Sequence, residues 1–243
     1  MNIALVGYGK MGKAIEVIAK KRNHTIKTIC NSKHPIETAD FSDVDVAIEF
    51  STPEQAIKHI RFLADKNIPI VVGTTGWNDQ LESISEAVEK KKGALLYASN
   101  FSVGVNLFFK LNNYLAKLMN NHPHYYASMQ EVHHTEKLDA PSGTAITLAE
   151  GIIQGHEAIS NWSCPQHPTQ NEFNGGIEIE AIRKSGVFGI HQINYSSPID
   201  EIQIKHKANN RDGFAEGAVI AAEWLQKKEG VYTMDDVLNF NSL

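Results

Sequence analysis

The fifteen residues Glu131-Val-His-His-Thr-Glu-Lys-Leu-Asp-Ala-Pro-Ser-Gly-Thr-Ala145 set two histidines and a lysine immediately before a helix-start signal made of Asp139, Pro141, Ser142 and Gly143. The open amides of a helix N-terminus, with the positive end of the macrodipole behind them, favour an anion such as a carboxylate. Imidazole and ammonium groups alongside attract an acidic molecule and move protons on it. The segment reads as a site for an anionic molecule undergoing proton-coupled chemistry. Adjacent histidines in an extended strand point to opposite faces, so His133 and His134 share a site only if the strand ends there, and the turn signal at Asp139 supplies such an end. The competing reading is one buried and one solvated strand-edge histidine with an ordinary surface lysine. Ser142, Gly143 and Thr144 also suit simple capping, which leaves some amides open for an anion.

A second constellation lies at the start of the chain, where the apolar strand Asn2-Ile-Ala-Leu-Val6 runs into Gly7-Tyr-Gly-Lys-Met-Gly12 and then into a helical stretch over residues 13–20. Strand, glycines and helix follow in the order of a dinucleotide-binding turn. Gly7 permits the tight turn, Gly9 lets the backbone approach a pyrophosphate, and Gly12 lets the helix pack close to the strand.

These residues need elements to hold them. Up to about Phe101, short β-rich apolar runs alternate with amphipathic stretches, which predicts a parallel sheet with crossover helices. Strands are expected over residues 3–6, 26–30, 44–50, 68–72 and 94–98, and helices over 53–65 and 79–91. Functional loops then lie past the strands' carboxyl ends, at Gly7–Gly12, Phe50–Pro53, Gly73-Thr-Thr-Gly76 and Ser99-Asn-Phe101. Further helices are expected over 107–119, 142–154, 214–227 and 235–238. A strand over 125–132 leads into the histidine segment, and 177–184, 187–195 and 201–206 read as adjacent antiparallel strands.

The fold class is α/β: an N-terminal Rossmann-type parallel sheet, then an α+β substrate and oligomerisation domain with an open mixed or antiparallel sheet. An open sheet needs a partner to cover it, which points to oligomerisation through this second domain.

At 243 residues with an apolar share of 42%, the chain can bury a real core. A net charge of −5 argues against nonspecific nucleic-acid binding, and Lys90-Lys91-Lys92 reads as a solvated helix end. Cys30 and Cys164 are too few for a disulfide framework, so a reducing cytoplasm is expected. The N-terminal apolar run lacks a basic leader and is soon broken by glycines, so neither a signal peptide nor a membrane span is expected. Cys164-Pro-Gln-His167 and His122-Pro-His124 are incomplete as ligand sets, and no metal site is expected.

The pattern Glu-x-His-His-x-x-Lys-x-Asp-Ala-Pro-Ser-Gly-Thr-Ala resembles the signature of the 4-hydroxy-tetrahydrodipicolinate reductases, also called dihydrodipicolinate reductases, of the diaminopimelate route to lysine. Gly7-Tyr-Gly-Lys-Met-Gly12, Val-Gly73-Thr-Thr-Gly76, Asn100-Phe-Ser-Val-Gly-Val-Asn106, His206-Lys-Ala with Arg211, and Phe214-Ala-Glu-Gly-Ala218 extend the match over nearly the whole chain. The resemblance implies that NADPH or NADH binds at Gly7, Tyr8, Gly9, Lys10, Met11 and Gly12, with Gly73, Thr74, Thr75, Ala98, Ser99, Asn100 and Phe101 completing the cleft. It further implies that His133 is the acid/base, that Lys137 donates a proton, and that His134, Gly143 and Thr144 hold the carboxylate of a cyclic imine dicarboxylate. It places the tail with the nucleotide domain, giving residues 1–102 plus 212–243 and a substrate domain of 103–211 with hinges at the junctions, and it implies a homotetramer.

One departure concerns the cofactor. The acid expected about twenty positions after the glycines is replaced by Asn31-Ser-Lys33. Lys33 suits a 2′-phosphate while Asn31 and Ser32 suit a free hydroxyl, so the sequence favours NADPH without excluding NADH. Two other function classes compete: a dehydrogenase of amino acids such as aspartate or diaminopimelate, which shares the glycine turn but not the histidine segment, and a noncatalytic nucleotide sensor, which should offer a basic DNA-binding segment or a long partner helix.

Overall fold

The computed structural model describes residues 1–165, 176–210 and 212–240, so His167 and Arg211 fall outside it. In chain order the elements are β1 (Asn2–Val6), α1 (Lys10–Lys21), β2 (Thr25–Cys30), β3 (Val46–Glu49), α2 (Pro53–Asp65), β4 (Ile70–Val72), α3 (Leu81–Lys90), β5 (Ala94–Tyr97), α4 (Val103–Met119), β6 (Tyr126–His133), α5 (Gly143–Gly155), β7 (Trp162–Ser163), β8 (Ile177–Arg183), β9 (Gly189–Ser196), β10 (Glu201–Ala208), α6 (Asp212–Leu225), β11 (Gly230–Tyr232) and α7 (Met234–Val237). They form two compact units, Met1–Val103 with Asp212–Leu243, and Gly104–Arg211.

The first unit is a six-stranded parallel sheet ordered β11-β5-β4-β3-β1-β2. Its central strands are buried on both faces and accordingly read as unbroken apolar runs, Val46-Ala-Ile in β3 and Ile70-Val-Val in β4. One apolar layer gathers Ile15, Ala19, Ala218, Ala222 and Leu225 from α1 and α6 beneath Leu5, Ile48 and Leu96. The other packs Ile60, Leu63, Ile84 and Val88 from α2 and α3 against Val6, Ile70 and Leu95. Five strands were expected from the sequence, and β11 is the sixth. It is only three residues long and opens on Gly230 at φ +118, too short for an alternation pattern to register. Helix α1 starts at Lys10 rather than at residue 13 because Gly9 already serves as its N-cap.

The second unit is a five-stranded mixed sheet ordered β10-β9-β6-β8-β7, with the apolar faces of α4 and α5 packed on one side. The expectation that β8 and β9 lie side by side is corrected here. Strand β6 sits between them, antiparallel to β9 and parallel to β8. Alternation reveals which residues face inward but carries no information on which strand is the neighbour. Residues in register on the open face are mostly polar, including Ser128, Gln130, Glu180, Gln192, Asn194 and Gln203.

Candidate active site

In the first unit the chain leaves β1 toward β2 on one side of the sheet and later returns to β3 on the other, so the carboxyl ends of β1 and β3 form the point where strand order reverses, the usual ligand crevice of such sheets. The three glycines have different constraints. Gly7 has φ +95, and a side chain there would collide with the carbonyl of Phe50; one at Gly12 would collide with the carbonyl of Gly7. Gly9 has nothing within 4 Å of where a Cβ would stand, and as N-cap of α1 it makes no side-chain capping bond. Open backbone at an uncapped helix start fits the pyrophosphate of a dinucleotide.

Tyr8 and Met11, by contrast, pack against the core, and the Tyr8 hydroxyl bonds the Glu16 carboxylate. Lys10 is exposed.

The loops that follow β3 and β4 are bonded to one another. The Ser51 N–H donates to Thr74 Oγ1 at 2.8 Å, and the Trp77 indole N–H donates to the Thr74 carbonyl at 2.7 Å. Behind them the fully buried Glu49 accepts the Ser51 hydroxyl and lies 3.1 Å from His59 Nδ1. The Phe50 ring sits against Gly73 and 5.8 Å from the ring of Phe101. The segment Ala98–Phe101 is set by the Ala98 N–H bonding the Val72 carbonyl and the Ser102 N–H bonding Asn100 Oδ1, and Gly217 lets α6 approach the Phe101 carbonyl. Thr75 and Ser99 are exposed.

Past β2, Asn31 Oδ1 accepts the N–H of Lys33 at 2.9 Å and of His34 at 3.1 Å, closing an Asx-type turn from which Ser32 and Lys33 project into solvent.

In the second unit, the register that turns Met129 inward also turns Glu131 and His133 inward. The inner face therefore changes from apolar to polar toward one end. Met129 pairs with Ile193 and Ile179, and the next row is Ala181, Glu131, His191 and His206, from β8, β6, β9 and β10. Arg183 then stands opposite His133.

Glu131 is completely buried. Both of its oxygens accept the Ser142 N–H at 3.1 Å, Oε2 also accepts the Ser142 hydroxyl, and Oε1 lies 3.3 Å from both terminal nitrogens of Arg183. Burial works to raise its pKa, yet His191, Ser142 and the neighbouring His133 outweigh that and hold it at about 2.

His133 has Nδ1 3.4 Å from Glu131 Oε2, close but without hydrogen-bond alignment, and its ring lies 5.1 Å from that of His191. Burial is the main cause that pushes its pKa down to about 4; the Glu131 charge opposes this, while His191, Lys137 and Arg183 add to it. The imidazole is neutral at pH 7 as a result.

The remaining predicted residues surround this cluster unevenly. Lys137 Nζ bonds both Asp139 oxygens at 2.8 Å, and the Lys137 and Asp139 carbonyls accept Arg183. Ser142 is the N-cap of α5, accepting the Ala145 N–H at 3.2 Å, and nothing lies within 4 Å of a Cβ at Gly143. Thr144 follows in the first turn. His134, just past the end of β6, lines a cavity of about 230 Å³ with Thr135, Glu136 and the β8–β9 turn from Ser185 to Phe188. None of His133, Lys137, Gly143 and Thr144 lines that cavity.

Sequence reasoning did not single out Glu49, His59, Arg183 or His191. A histidine at an inward position of the alternating β9 was the available signal for His191. Glu131, His133 and His191 also place one ligand atom each within 4.8 Å of one another, an arrangement able to hold a metal ion. The Arg183 guanidinium and the two Ser142 donors already occupy the carboxylate, which makes it a poor ligand for a cation. Both cysteines are buried and neither forms a disulfide among the described residues, and burial pushes the Cys30 thiol up to about 11. Among the described residues no helix is long and apolar enough to cross a membrane.

Two family profiles match the chain: "Dihydrodipicolinate reductase, N-terminus" over residues 1–101 and "Dihydrodipicolinate reductase, C-terminus" over residues 104–238. A curated protein of Christiangramia forsetii, the 4-hydroxy-tetrahydrodipicolinate reductase, is 46% identical over 241 residues, covering 98% of each chain. Among solved structures, dipicolinate-bound dihydrodipicolinate reductase from Paenisporosarcina sp. TG-14 superposes with TM-score 0.74 at 23% identity, covering 96% of this chain and 97% of that one. Aspartate dehydrogenase from Thermotoga maritima shares the fold more loosely, with TM-score 0.51 at 13% identity over 94% and 97% of the two chains.

Proposed function

Because this chain belongs to the dihydrodipicolinate reductase family, we propose that it reduces 4-hydroxy-tetrahydrodipicolinate to tetrahydrodipicolinate with a pyridine nucleotide, in the diaminopimelate route to lysine. The observation that carries this reading is the full-length likeness to a curated reductase of that name. The two anion-ready helix starts support it, Gly9 on α1 for the dinucleotide and Gly143 on α5 for a substrate carboxylate.

The bound nucleotide supplies a hydride to the ring. His133, neutral and facing Glu131, suits the removal of a proton from the carbon beside the imine, so that the ring hydroxyl departs as water and the ring becomes conjugated. The same imidazole then returns a proton to that carbon once the hydride has added. Lys137 supplies the proton that leaves with the hydroxyl, and His134, Gly143 and Thr144 hold the carboxylates. The net change is one hydride and one proton gained and one water lost. Tyr8, Lys10, Met11, Thr75, Ala98 and Ser99 belong to the cofactor surface with the glycines, Thr74, Asn100 and Phe101.

NADPH is the preferred cofactor in this reading. The three residues directly after β2, Asn31-Ser-Lys33, include no carboxylate, and the Asn31 turn presents Lys33 to solvent. Residues 1–102 with 212–243 bind the nucleotide, and 103–211 bind substrate and assemble the tetramer through the polar open face of the mixed sheet. Two buried cysteines, neither in a disulfide among the described residues, support a reducing, cytoplasmic setting.

The test is a coupled assay in which the preceding synthase supplies fresh substrate and the near-ultraviolet absorbance of NADPH or NADH is followed. Cofactor oxidation that depends on both enzymes is expected. No oxidation with either cofactor would remove the proposal.

A further inference from the structure

We propose that Glu131 is a positioning residue for proton transfer: it orients His133 so that Nδ1 carries the proton and Nε2 is the nitrogen that exchanges one with substrate. This inference rests on the reading of His133 as the acid/base.

The geometry is asymmetric around the imidazole. Nδ1 is the buried ring nitrogen and lies 3.4 Å from Glu131 Oε2. Nε2 is on the other side, where a Cβ on Gly189 would come within 3.2 Å, so glycine at this point of β9 leaves room beside it. A carboxylate behind one ring nitrogen favours the tautomer protonated there and makes the opposite nitrogen the base.

Glu131 is itself held from three directions. Ser142 donates its N–H and hydroxyl, Arg183 approaches Oε1 while bonding the Lys137 and Asp139 carbonyls, and His191 Nε2 lies 3.7 Å from Oε2. Ser142 is also the cap of α5. One buried carboxylate thereby joins the imidazole to the helix start assigned to the substrate carboxylate, and to the loop that carries Lys137. Among the described residues, the charged and titratable groups around His133 are Glu131 on its own strand, His191 on β9, Arg183 on β8 and Lys137 in the loop, with Asp139 paired to Lys137 and His206 on β10 beyond His191. Of those acting on His133, the Glu131 charge is the one that favours a proton there, while the Asp139 carboxylate is taken up by Lys137.

The test joins kinetics to a direct view of the ring. In wild-type protein with ¹⁵N-labelled histidine, the His133 signals, identified by their absence from His133→Gln, should show the proton on Nδ1 at neutral pH. Glu131→Gln should lower kcat by about 10- to 100-fold with the NADPH dissociation constant unchanged. It should also move the acidic limb of the kcat profile to lower pH, and Glu131→Asp should recover part of both. A proton on Nε2 in the wild type, or a Glu131→Gln enzyme with normal kcat and an unmoved limb, would overturn the proposal. Wild-type protein inactive on the imine but protonated at Nδ1 would instead remove the functional reading and leave the orientation standing.

Discussion

The ring of Phe50 occupies the space that a side chain on Gly73 would need, so the loops after β3 and β4 meet through one aromatic face. The same ring lies 5.8 Å from that of Phe101, and the Phe50 carbonyl fills the space beside Gly7. Gly73→Ala must therefore displace Phe50 and, with it, the glycine turn. Overpacking of this kind costs about 1–3 kcal/mol. Titration calorimetry should show NADPH binding weakened roughly 10-fold, the affinity equivalent of 1.4 kcal/mol, together with a lower melting temperature. Unchanged values for both would mean that the ring does not set the loop.

Lys33→Glu should selectively harm the phosphorylated cofactor. The Oδ1 of Asn31 is committed to the turn beneath Lys33, and the stretch Asn31-Ser-Lys33 offers no carboxylate to claim a ribose hydroxyl. A new negative charge should raise the NADPH Michaelis constant about 10-fold and leave NADH within a factor of two or three. Equal changes for the two cofactors would show that Lys33 is remote from the 2′ position.

How much of this was legible in the sequence depends on the kind of signal. Gly7 and Gly12 announced themselves because backbone sterics leave few substitutes, Gly9 because it completes their spacing in the turn, and the buried strands did so because both faces are apolar. The neighbour of β8 was not legible, since a strand's alternation is the same whichever strand lies beside it. Arg183 and His191 stayed hidden for the related reason that their roles come from pairing across strands. Glu131 stands in the same segment as His133, but only the inward turn shared by Met129, Glu131 and His133 shows that the carboxylate lies beside the imidazole. His134 was grouped with His133 because a strand end can bring adjacent histidines to one site, and it lies just past the end of β6.

Removing either proton-transfer group should cost turnover and spare nucleotide binding. His133→Ala and Lys137→Ala should each lower kcat by about 100-fold or more, the usual loss for a general acid or base. Both lie in the second compact unit, whereas the glycine turn lies in the first, so the NADPH dissociation constant should stay within a factor of about two, less than 0.5 kcal/mol. Asp139→Asn, which releases the Lys137 ammonium from its ion pair, should change kcat far less than Lys137→Ala does. Near-normal turnover in His133→Ala or in Lys137→Ala would remove that residue from the chemistry.

Acid should destabilise the fold in a window that begins near neutrality, because His133 and Glu131 both resist protonation where the unfolded chain accepts it. His133 is held at about 4 against an ordinary 6.5, chiefly by burial. As pH falls from 6.5 toward 4 the unfolded chain binds a proton that the folded one refuses, and stability drops. Glu131, held at about 2 against 4.5, stabilises the fold above pH 4.5 and loses that contribution as pH falls toward 2. The two losses have the same sign and follow one another. At about 1.4 kcal/mol per pKa unit, His133 alone contributes a loss on the order of 2–3 kcal/mol between pH 6.5 and 4. Urea unfolding of wild type and His133→Gln across that range should show a shallower decline in the variant, with other buried histidines cancelling in the comparison. Parallel declines would mean that the His133 imidazole is already solvated in the folded protein and is free to take up its proton there.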